Sequence, residues 1–550
     1  MINWPYWITT KHFVVFIGLI YSVSITTPSY ASEIYYSYLG GNLSETAYAI
    51  TSDNLNNIYI TGNTNSESFN GFEAPSNKIH QNQNCFVSRL NLDDPSGNYY
   101  FEFAGSGRES CRAISVDSAF NVYVTGETQS PDLPVTTDRQ YGGDWDAFIF
   151  KLNPLGNLVY ASYIGGSLTD YGHGLALRSI DDVFITGETW SNDFPTTFNA
   201  YTENCLLSDI CDGNEANAFV SHIDTSINDQ LISEYSTYLG GNKQDKAHSI
   251  AIDSSGILHI AGETNSVNFP IANQISDHLK GNFDGFVSLI DPSLDSEQSL
   301  IFSSYLGGNG DEFVTAVTTD TNGNSYLTGS SSSDDFPTSQ NAFSRRCASG
   351  NENCLNSIIN KQHSDIFLTQ ITENVIGYST LLGGSDNETG HAIAVDQLGS
   401  IYVSGATNSD DFPITDNAID DSCNESSPCS EHSDSFLIKI NPFSDGESGL
   451  NFSSYLGGDK LDNAISLHIN SSNNIILTGE TFSPTLATPQ ALDKNQENSE
   501  AYLQEVEIVG TGSWINKISK PKPKSETSAS ALNDLLLITL FILGALLRRK

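Results

Sequence analysis

The stretch that decides the fold is YLGGNKQDKAHSIAIDSSGILHIAGET, residues 238–264. Its Gly-Gly corner ends at Gly241, and a second glycine, Gly262, follows 21 residues later. The same frame occurs seven times with the same offset, and successive copies start 61 to 76 residues apart. The corners end at Gly41, Gly105, Gly166, Gly241, Gly308, Gly384 and Gly458. A constant frame with variable spacers indicates a repeat architecture.

Each copy of the frame predicts four short β-strands. Residues 249–252 and 257–260 are apolar runs separated by the Asp/Gly turn 253–256, which predicts a hairpin. A fourth strand, such as 235–239, leads into the next corner. Third strands are expected at 86–90, 147–152, 218–223, 285–290, 366–371, 435–440 and 514–518. Seven such units predict an all-β fold, a seven-bladed β-propeller of four-stranded antiparallel blades.

The two ends of the repeat region predict how the ring closes. Residues 34–39 have the pattern of a fourth strand, but no blade precedes them. The last repeat, in turn, ends at its expected third strand. We therefore expect the N-terminal strand to complete the last blade, which would remove two exposed sheet edges.

Several repeated motifs resemble those of a known family. They include YSTYLGG (235–241), YVTGET (123–128), FITGET (184–189) and DDFPT (334–338). These units resemble the SBBP β-propeller repeats of exported bacterial proteins. The resemblance implies a propeller outside the cytoplasm. It implies little about function, because architecture and not a shared reaction defines that family.

The chain termini predict export and a surface location. Residues 1–31 resemble a signal peptide, with an apolar run at 13–23 and small residues before a cut ahead of Ser32. Residues 32–519 form the predicted propeller, and 520–534 a Lys/Pro- and Ser/Ala-rich linker. Residues 535–550 are an apolar segment with a basic end, which is typical of a sorting tag or of a one-pass anchor. Either alternative places the propeller outside the cytoplasm and links it to a membrane.

Composition narrows the possible partners. The net charge is −42, with only 24 Lys and Arg in 550 residues. Such a chain repels a phosphate backbone, which excludes nucleic acid as a partner. We expect an extracellular protein or glycan instead.

The eight cysteines predict disulfides. Cys205–Cys211, Cys347–Cys354 and Cys423–Cys429 would each lie within one loop. Cys85 and Cys111 start strands of neighbouring blades, so we expect Cys85–Cys111 to join them. A zinc site fits less well because the chain has no C-x-x-C pair.

One acidic position recurs four residues after every corner. Its members are Glu45, Glu109, Asp170, Asp245, Glu312, Glu388 and Asp462. They either accept backbone N–H groups of their own corners or form a ring at the channel mouth that attracts cations, calcium above all. Three residues further lie His173, His248 and His391, which could join them in a metal or acid–base site.

No familiar catalytic motif occurs in the sequence. Trp145, Trp190 and Phe194 are aromatic residues of long loops that could stack on sugars, although Phe-Pro pairs such as 194–195 could instead hold the loops on their blades. We predict an exported binding or structural scaffold for a protein or glycan. The alternative is an extracellular polysaccharide hydrolase or lyase that uses carboxylates and histidines at the channel mouth.

Overall fold

The computed structural model describes residues 30–69, 72–73, 82–203, 215–226, 234–347, 355–356, 361–423, 428–496, 498–509 and 514–515. These residues form seven four-stranded antiparallel sheets, which are the seven blades of a β-propeller. The predicted fold is therefore confirmed. The linker 520–534, the segment 535–550 and residues 1–29 lie outside the described residues. Within the described ranges, no helix is long and apolar enough to cross a membrane.

The first two strands of each blade form a hairpin. First strands are Glu45–Ser52, Glu109–Val116, Asp170–Ser179, Asp245–Ile252, Glu312–Thr319, Glu388–Val395 and Asp462–Ile469. Second strands are Ile58–Thr64, Val122–Thr128, Asp182–Thr189, Leu258–Thr264, Ser325–Ser331, Ile401–Thr407 and Ile475–Thr481. The first strands of neighbouring blades contact one another all the way round, including blade seven with blade one, so they form the inner wall of the ring.

The outer half of each blade comes from the third and fourth strands. Third strands are Asn84–Leu90, Asp146–Leu152, Asn217–Asp224, Asp284–Ile290, Asp365–Thr372, Asp434–Ile440 and Glu500–Val509. Fourth strands are Tyr99–Phe103, Leu158–Ile164, Ser236–Leu239, Leu300–Leu306, Val375–Leu382, Leu450–Leu456 and the N-terminal Tyr30–Leu39. Short loop strands are Ser68–Phe69, Phe72–Glu73, Leu355–Asn356, Lys361–Gln362, Ile414–Thr415 and Trp514–Ile515, and 3₁₀ turns are Pro95–Gly97, Ser296–Ser299 and Gly446–Gly449.

The N-terminal strand completes blade seven, as expected. It pairs antiparallel with Glu500–Val509, with Tyr38 opposite Tyr502 and Leu39 opposite Ala501. Tyr35 and Leu39 share one buried cluster with Ile60 and Phe86 of blade one. Blade seven is thereby tied to both ends of the chain.

The third strand of blade seven corrects one prediction. It is Glu500–Val509, whereas Trp514–Ile515 pairs with Ile414–Thr415 in a loop of blade six. Glu505 and Glu507 interrupt the apolar pattern and hid this strand in the sequence. Its opening Glu-Ala-Tyr nevertheless matches the pattern of the other third strands, which begin with an acid or amide and place an aromatic residue two positions later.

In blades four, five and six, the loop between the second and third strands covers the outer edge of the blade. Ala272 pairs with Ser303, Ser344 with Leu381 and Asp420 with Tyr455, so each loop runs along the fourth strand of its own blade. Covering the last strand in this way protects its backbone from pairing with another chain. These loops begin and end on one face of the ring but extend along the outer side of the blades.

Two faces of the ring can now be distinguished. The corner face carries the Gly-Gly corners and both ends of every loop between second and third strands. The turn face carries the tight turns between first and second strands, such as 253–256. In that turn the Asp253 carboxylate accepts the backbone N–H groups of Ser255 and Ile257, at 2.8 and 3.0 Å.

Aromatic side chains hold the loops in place. Phe269 is buried against Phe286 of the third strand, with ring centroids 4.5 Å apart. The Tyr305 hydroxyl donates to the Ser266 carbonyl and accepts the Phe269 N–H. Phe194 is buried in the same manner, which confirms the packing role of these Phe-Pro pairs and removes Phe194 from the surface aromatics.

Two of the predicted disulfides lie fully within the described residues. Cys85–Cys111 joins blades one and two, with Cα atoms 5.2 Å apart, and Cys423–Cys429 closes its own loop at 5.7 Å. Cys347 is also disulfide-bonded. Cys205, Cys211 and Cys354 lie outside the described residues.

Candidate functional site

The seven recurrent carboxyl groups lie inside the blades and not at the channel mouth. All of them are at most 1% exposed: Glu45, Glu109, Asp170, Asp245, Glu312, Glu388 and Asp462. Each carboxylate accepts the N–H of the second corner glycine, at 2.7 to 3.2 Å. Asp245 also accepts the hydroxyls of Thr264 at 2.5 Å and Ser266 at 2.9 Å. This position therefore joins the corner, the second strand and the loop of each blade.

A second buried acid lies beside many of these carboxyls. At Gly307, an added Cβ would come within 2.4 Å of the Glu312 carboxylate and 2.7 Å of the Asp284 carboxyl carbon. Any larger residue at this position would displace one or both of these buried carboxylates. Asp284 starts the third strand of the preceding blade and accepts two loop N–H groups, from Lys280 and Gly281. Paired acids thus mark the junctions between blades.

Burial raises the pKa of these acids. Desolvation raises the pKa of Asp170, Asp245 and Glu312 to about 7. Desolvation and then the neighbouring Asp365 raise the pKa of Glu388 well above its ordinary value. A deeply buried carboxyl saturated by its own chain is suited to holding the corner together. Cation binding by these seven groups remains a prediction.

The three histidines face away from those acids. Each is the bulged residue of its first strand, because the register shifts at His173, His248 and His391. The same bulge occurs at this position in the other four blades. Bulges re-aim a side chain. Here the bulge turns the third residue after each buried acid toward the inside of the ring.

The bulged histidines have carboxylate partners on the second strands instead. His173 Nε2 lies 3.3 Å from Glu188 Oε1, and His248 Nε2 lies 3.4 Å from Glu263 Oε2. The two imidazole rings are neighbours, with centroids 5.7 Å apart. His391 is separate from them, and its Nδ1 lies 3.2 Å from the Ala464 carbonyl. Burial lowers the pKa of His391.

Cationic side chains complete a one-sided group at the mouth of the tunnel. Arg112 Nη2 lies 2.7 Å from Glu127 Oε1, and its guanidinium carbon lies 4.6 Å from the centre of the Tyr48 ring. Lys246 Nζ lies 3.5 Å from Glu188 and 3.9 Å from Glu263. We call the following set the mouth cluster: Tyr48, Arg112, Glu127, Trp145, Tyr171, His173, Glu188, Trp190, Lys246, His248 and Glu263.

The acidic and basic side chains of the mouth cluster shift one another's pKa values. Burial would raise the pKa of Glu188, but His173 and Lys246 outweigh it and hold that pKa below its ordinary value. Burial would likewise lower the pKa of Arg112, but Glu127 raises it, and the pKa lies above the usual value. Glu188 is therefore ionised and Arg112 is charged at neutral pH.

The mouth cluster breaks the symmetry of the ring. The bulged position holds Tyr48, Arg112, His173 and His248 in blades one to four, but Thr315, His391 and Ile465 in blades five to seven. The facing second-strand position holds Glu127, Glu188 and Glu263 in blades two to four and Glu480 in blade seven, whereas blades one, five and six have Asn63, Ser330 and Ala406. Only in blades three and four do a histidine and a glutamate occupy the two positions together. Structural repeats have no need of this difference.

Sequence reasoning found the histidines and tryptophans of this cluster but missed its other members: Tyr48, Arg112, Glu127, Tyr171, Glu188, Lys246 and Glu263. The usable signal was the GET motif, whose middle residue varies from blade to blade while the flanking Gly and Ser or Thr do not. The partners could not be assigned without the strand register.

No metal centre is assembled from the cysteines in the part of the chain that the structure describes. Asp410 lies beside Cys423 and Cys429, but these two sulfurs are bonded to each other. They therefore offer no thiolate ligand.

Comparison with known proteins supports the repeat assignment. The β-propeller repeat family SBBP matches residues 34–70, 234–270, 301–337 and 377–413. No curated protein sequence matches the chain.

Several solved structures resemble the chain weakly. The extracellular domain of a putative hybrid two-component system from B. thetaiotaomicron has a TM-score of 0.39 and 9% identity, over 84% of this chain and 40% of that one. The Pan2 WD40 domain of Neurospora crassa has a TM-score of 0.37 and 9% identity, over 86% and 97%. A Dyadobacter fermentans protein of unknown function has a TM-score of 0.36 and 6% identity, over 87% and 99%. Likenesses at this level carry no functional argument.

Four family matches and seven sheets of one design lead to the same conclusion. The chain is a seven-bladed β-propeller, and SBBP repeats match it at four positions.

Proposed function

We propose that this propeller is an exported binding scaffold whose corner face meets an extracellular protein or glycan. The single observation that carries the proposal is the one-sided mouth cluster on an otherwise repeated ring. A scaffold needs identical joints in every blade, whereas recognition needs particular side chains in one place. Binding sites commonly form where variable residues are held by a rigid frame.

Export is part of the same proposal. Disulfides persist in oxidising compartments and are rare in the cytosol. Cys85–Cys111 links two blades, and Cys423–Cys429 stiffens a loop. The signal-like residues 1–31 and the apolar segment 535–550 would deliver the propeller to a surface and attach it there.

The test compares the two faces of the ring. Three exposed apolar side chains of the corner face are replaced together: Leu43→Asp, Leu168→Asp and Val267→Asp. A matched variant of the turn face carries Leu155→Asp, Leu398→Asp and Phe443→Asp, which are at least as exposed in the parent. Both proteins and the parent are applied to a glycan array and to an array of bacterial envelope proteins.

We expect the corner-face variant to lose binding by about tenfold or more, because new carboxylates would disrupt contact across that face. The turn-face variant should bind as the parent does. Loss confined to the turn-face variant would refute the proposal, as would a parent that binds nothing on either array. Circular dichroism of the three proteins checks that the ring is intact.

A further inference from the structure

Two cavities meet at one side chain of the mouth cluster. The first is about 470 Å³ and is lined by Arg112, Glu127, Trp145 and Tyr171, among others. The second, also about 470 Å³, is lined by Tyr171, Trp190 and the loop 142–144. Tyr171 is thus a partition between two adjacent spaces, each within the range usual for small-ligand pockets.

The aromatic walls of these cavities are held by the backbone. The Trp145 carbonyl accepts the Asp170 N–H at 2.8 Å, and the Trp190 N–H donates to the Thr169 carbonyl at 2.9 Å. Tyr171 follows directly on the same strand. Its ring centroid lies 5.9 Å from that of Trp145 and 5.7 Å from that of Trp190, at interplanar angles of 63° and 84°. In each edge-on contact one ring places its edge against the face of the other, and all three side chains remain partly exposed.

The polar lining combines donors and acceptors on flat side chains. Arg112 meets Glu127 at its Oε1 atom through both Nε and Nη2. Glu127 Oε2 is buried and accepts no hydrogen bond from any residue that the structure describes. Asn63, Gln83 and His173 line the same cavity. A buried acceptor without a donor is costly, so a ligand hydroxyl that donates to it is favoured.

The charge balance argues against an acidic ligand. Arg112 and Lys246 are already paired with Glu127, Glu188 and Glu263, so carboxylates outnumber fixed cations in the cluster. The whole chain carries a net charge of −42. An anionic ligand would meet repulsion at the site and across the surface around it.

From these observations we propose that the mouth cluster binds an uncharged saccharide, with one sugar ring on each side of Tyr171. Aromatic faces of Trp145, Tyr171 and Trp190 cover the apolar faces of the sugar rings, and Glu127, Arg112 and His173 bind hydroxyls. The proposal rests on the scaffold function above and assigns a ligand class to its binding face.

The experiment uses the intact protein with neutral oligosaccharides, first on an array and then by calorimetry with the strongest binder. The test variants are Tyr171→Ala and Glu127→Gln. Matched controls change the equivalent positions of other blades, Phe313→Ala and Glu480→Gln. We expect both test variants to lose affinity by about tenfold or more, and both controls to stay within about twofold of the parent.

Three outcomes would overturn this assignment: no neutral oligosaccharide binds, only acidic glycans bind, or the controls lose as much affinity as the test variants. Cleavage of the sugar during titration would instead overturn the scaffold function. If the corner-face Asp variant loses its partner while Tyr171→Ala and Glu127→Gln retain it, the scaffold function stands and the saccharide assignment fails. Thermal melting of each variant separates loss of binding from loss of fold.

Discussion

The seven recurrent carboxyl groups and the bulged residues of the mouth cluster lie on the same set of first strands. The first group is alike in every blade, whereas the second differs from blade to blade. Each first strand opens with an acid that is at most 1% exposed, such as Asp245, and bulges three residues later, as at His248. The acid is the same type of residue in every blade, because every junction needs the same joint. The bulged residue varies, because its side chain faces the tunnel and not the joint. Uniformity marks what holds this ring together, and variation marks the place where we propose that it recognises a ligand.

The largest expected effect on stability comes from the N-terminal strand that closes the ring. Removing residues 33–39 would strip blade seven of its fourth strand, including the buried Tyr35, Tyr38 and Leu39. Each buried side chain of this size contributes about 1.5–3 kcal/mol, so we expect a loss of about 5 kcal/mol or more, measured by thermal or urea unfolding.

A point variant makes this test robust if the shortened chain does not fold. Leu39→Ala, at a side chain with no exposure, should cost about 2–5 kcal/mol. Leu43→Ala, at a leucine that is 42% exposed, should change stability by about 0.5 kcal/mol or less. Equal melting temperatures for the two variants would mean that the N-terminal strand does not close the ring.

The next effect is the pH dependence of stability, which we expect to come from the buried acids of the corners. Desolvation raises the pKa of Asp245 from 3.8 to about 7. Its contribution to stability is therefore fully present below the unfolded-state pKa and is lost as the pH rises through the folded-state pKa. Asp245→Asn removes this dependence. Between pH 4 and pH 8 the variant should gain about 2–4 kcal/mol relative to the parent.

The measurement is urea unfolding of both proteins at several pH values. Buried histidines such as His391 and His468, whose pKa values burial lowers, are present in both proteins and cancel in the difference. A difference that stays constant with pH would contradict the assignment of a raised pKa to Asp245.

A third test asks whether the joints are equivalent. Asp245→Ala should leave the Gly241 N–H and the Thr264 and Ser266 hydroxyls without their acceptor. At pH 5 we expect a loss of about 1–3 kcal/mol. Glu312→Ala in the next blade should cost a similar amount, measured by the same unfolding experiment. A large effect in one blade and none in the other would break the analogy between the seven positions.

The smallest expected effect on stability lies in the mouth. The His248 side chain is 30% exposed and contacts Glu263 at 3.4 Å. Partly exposed ion pairs contribute little, so His248→Ala should change the free energy of unfolding by about 1 kcal/mol or less. A loss as large as that of Asp245→Ala would show that the mouth cluster also contributes to the stability of the ring.

Much of the propeller fold could be predicted from the sequence because the motifs that indicate it are local or repeated. The Gly-Gly corners led to the blade count, the N-terminal strand without a preceding blade led to the closure, and the Phe-Pro pairs led to the packing of the loops. Glu500–Val509 was missed because its exposed positions carry charge, although its buried positions keep the pattern of a third strand.

The mouth cluster was harder to predict because its contacts depend on register. Asp170 and His173 are three residues apart, which suggested that they act together. The bulge at His173 shifts the pairing by one residue, so the histidine meets Glu188 on the facing strand while Asp170 stays inside the blade. No spacing rule along one strand contains that information.

The shared seventh blade also constrains the order of assembly. Tyr38 must find Tyr502, so the final contact joins parts of the chain that are synthesised far apart in time. Until Glu500–Val509 has been synthesised, the N-terminal strand Tyr30–Leu39 exposes its tyrosines and its unpaired backbone groups, while the first six blades can already pack together. Folding of this protein is therefore vulnerable to capture by a second chain up to its last step, and only closure by its own C-terminal strand ends that risk.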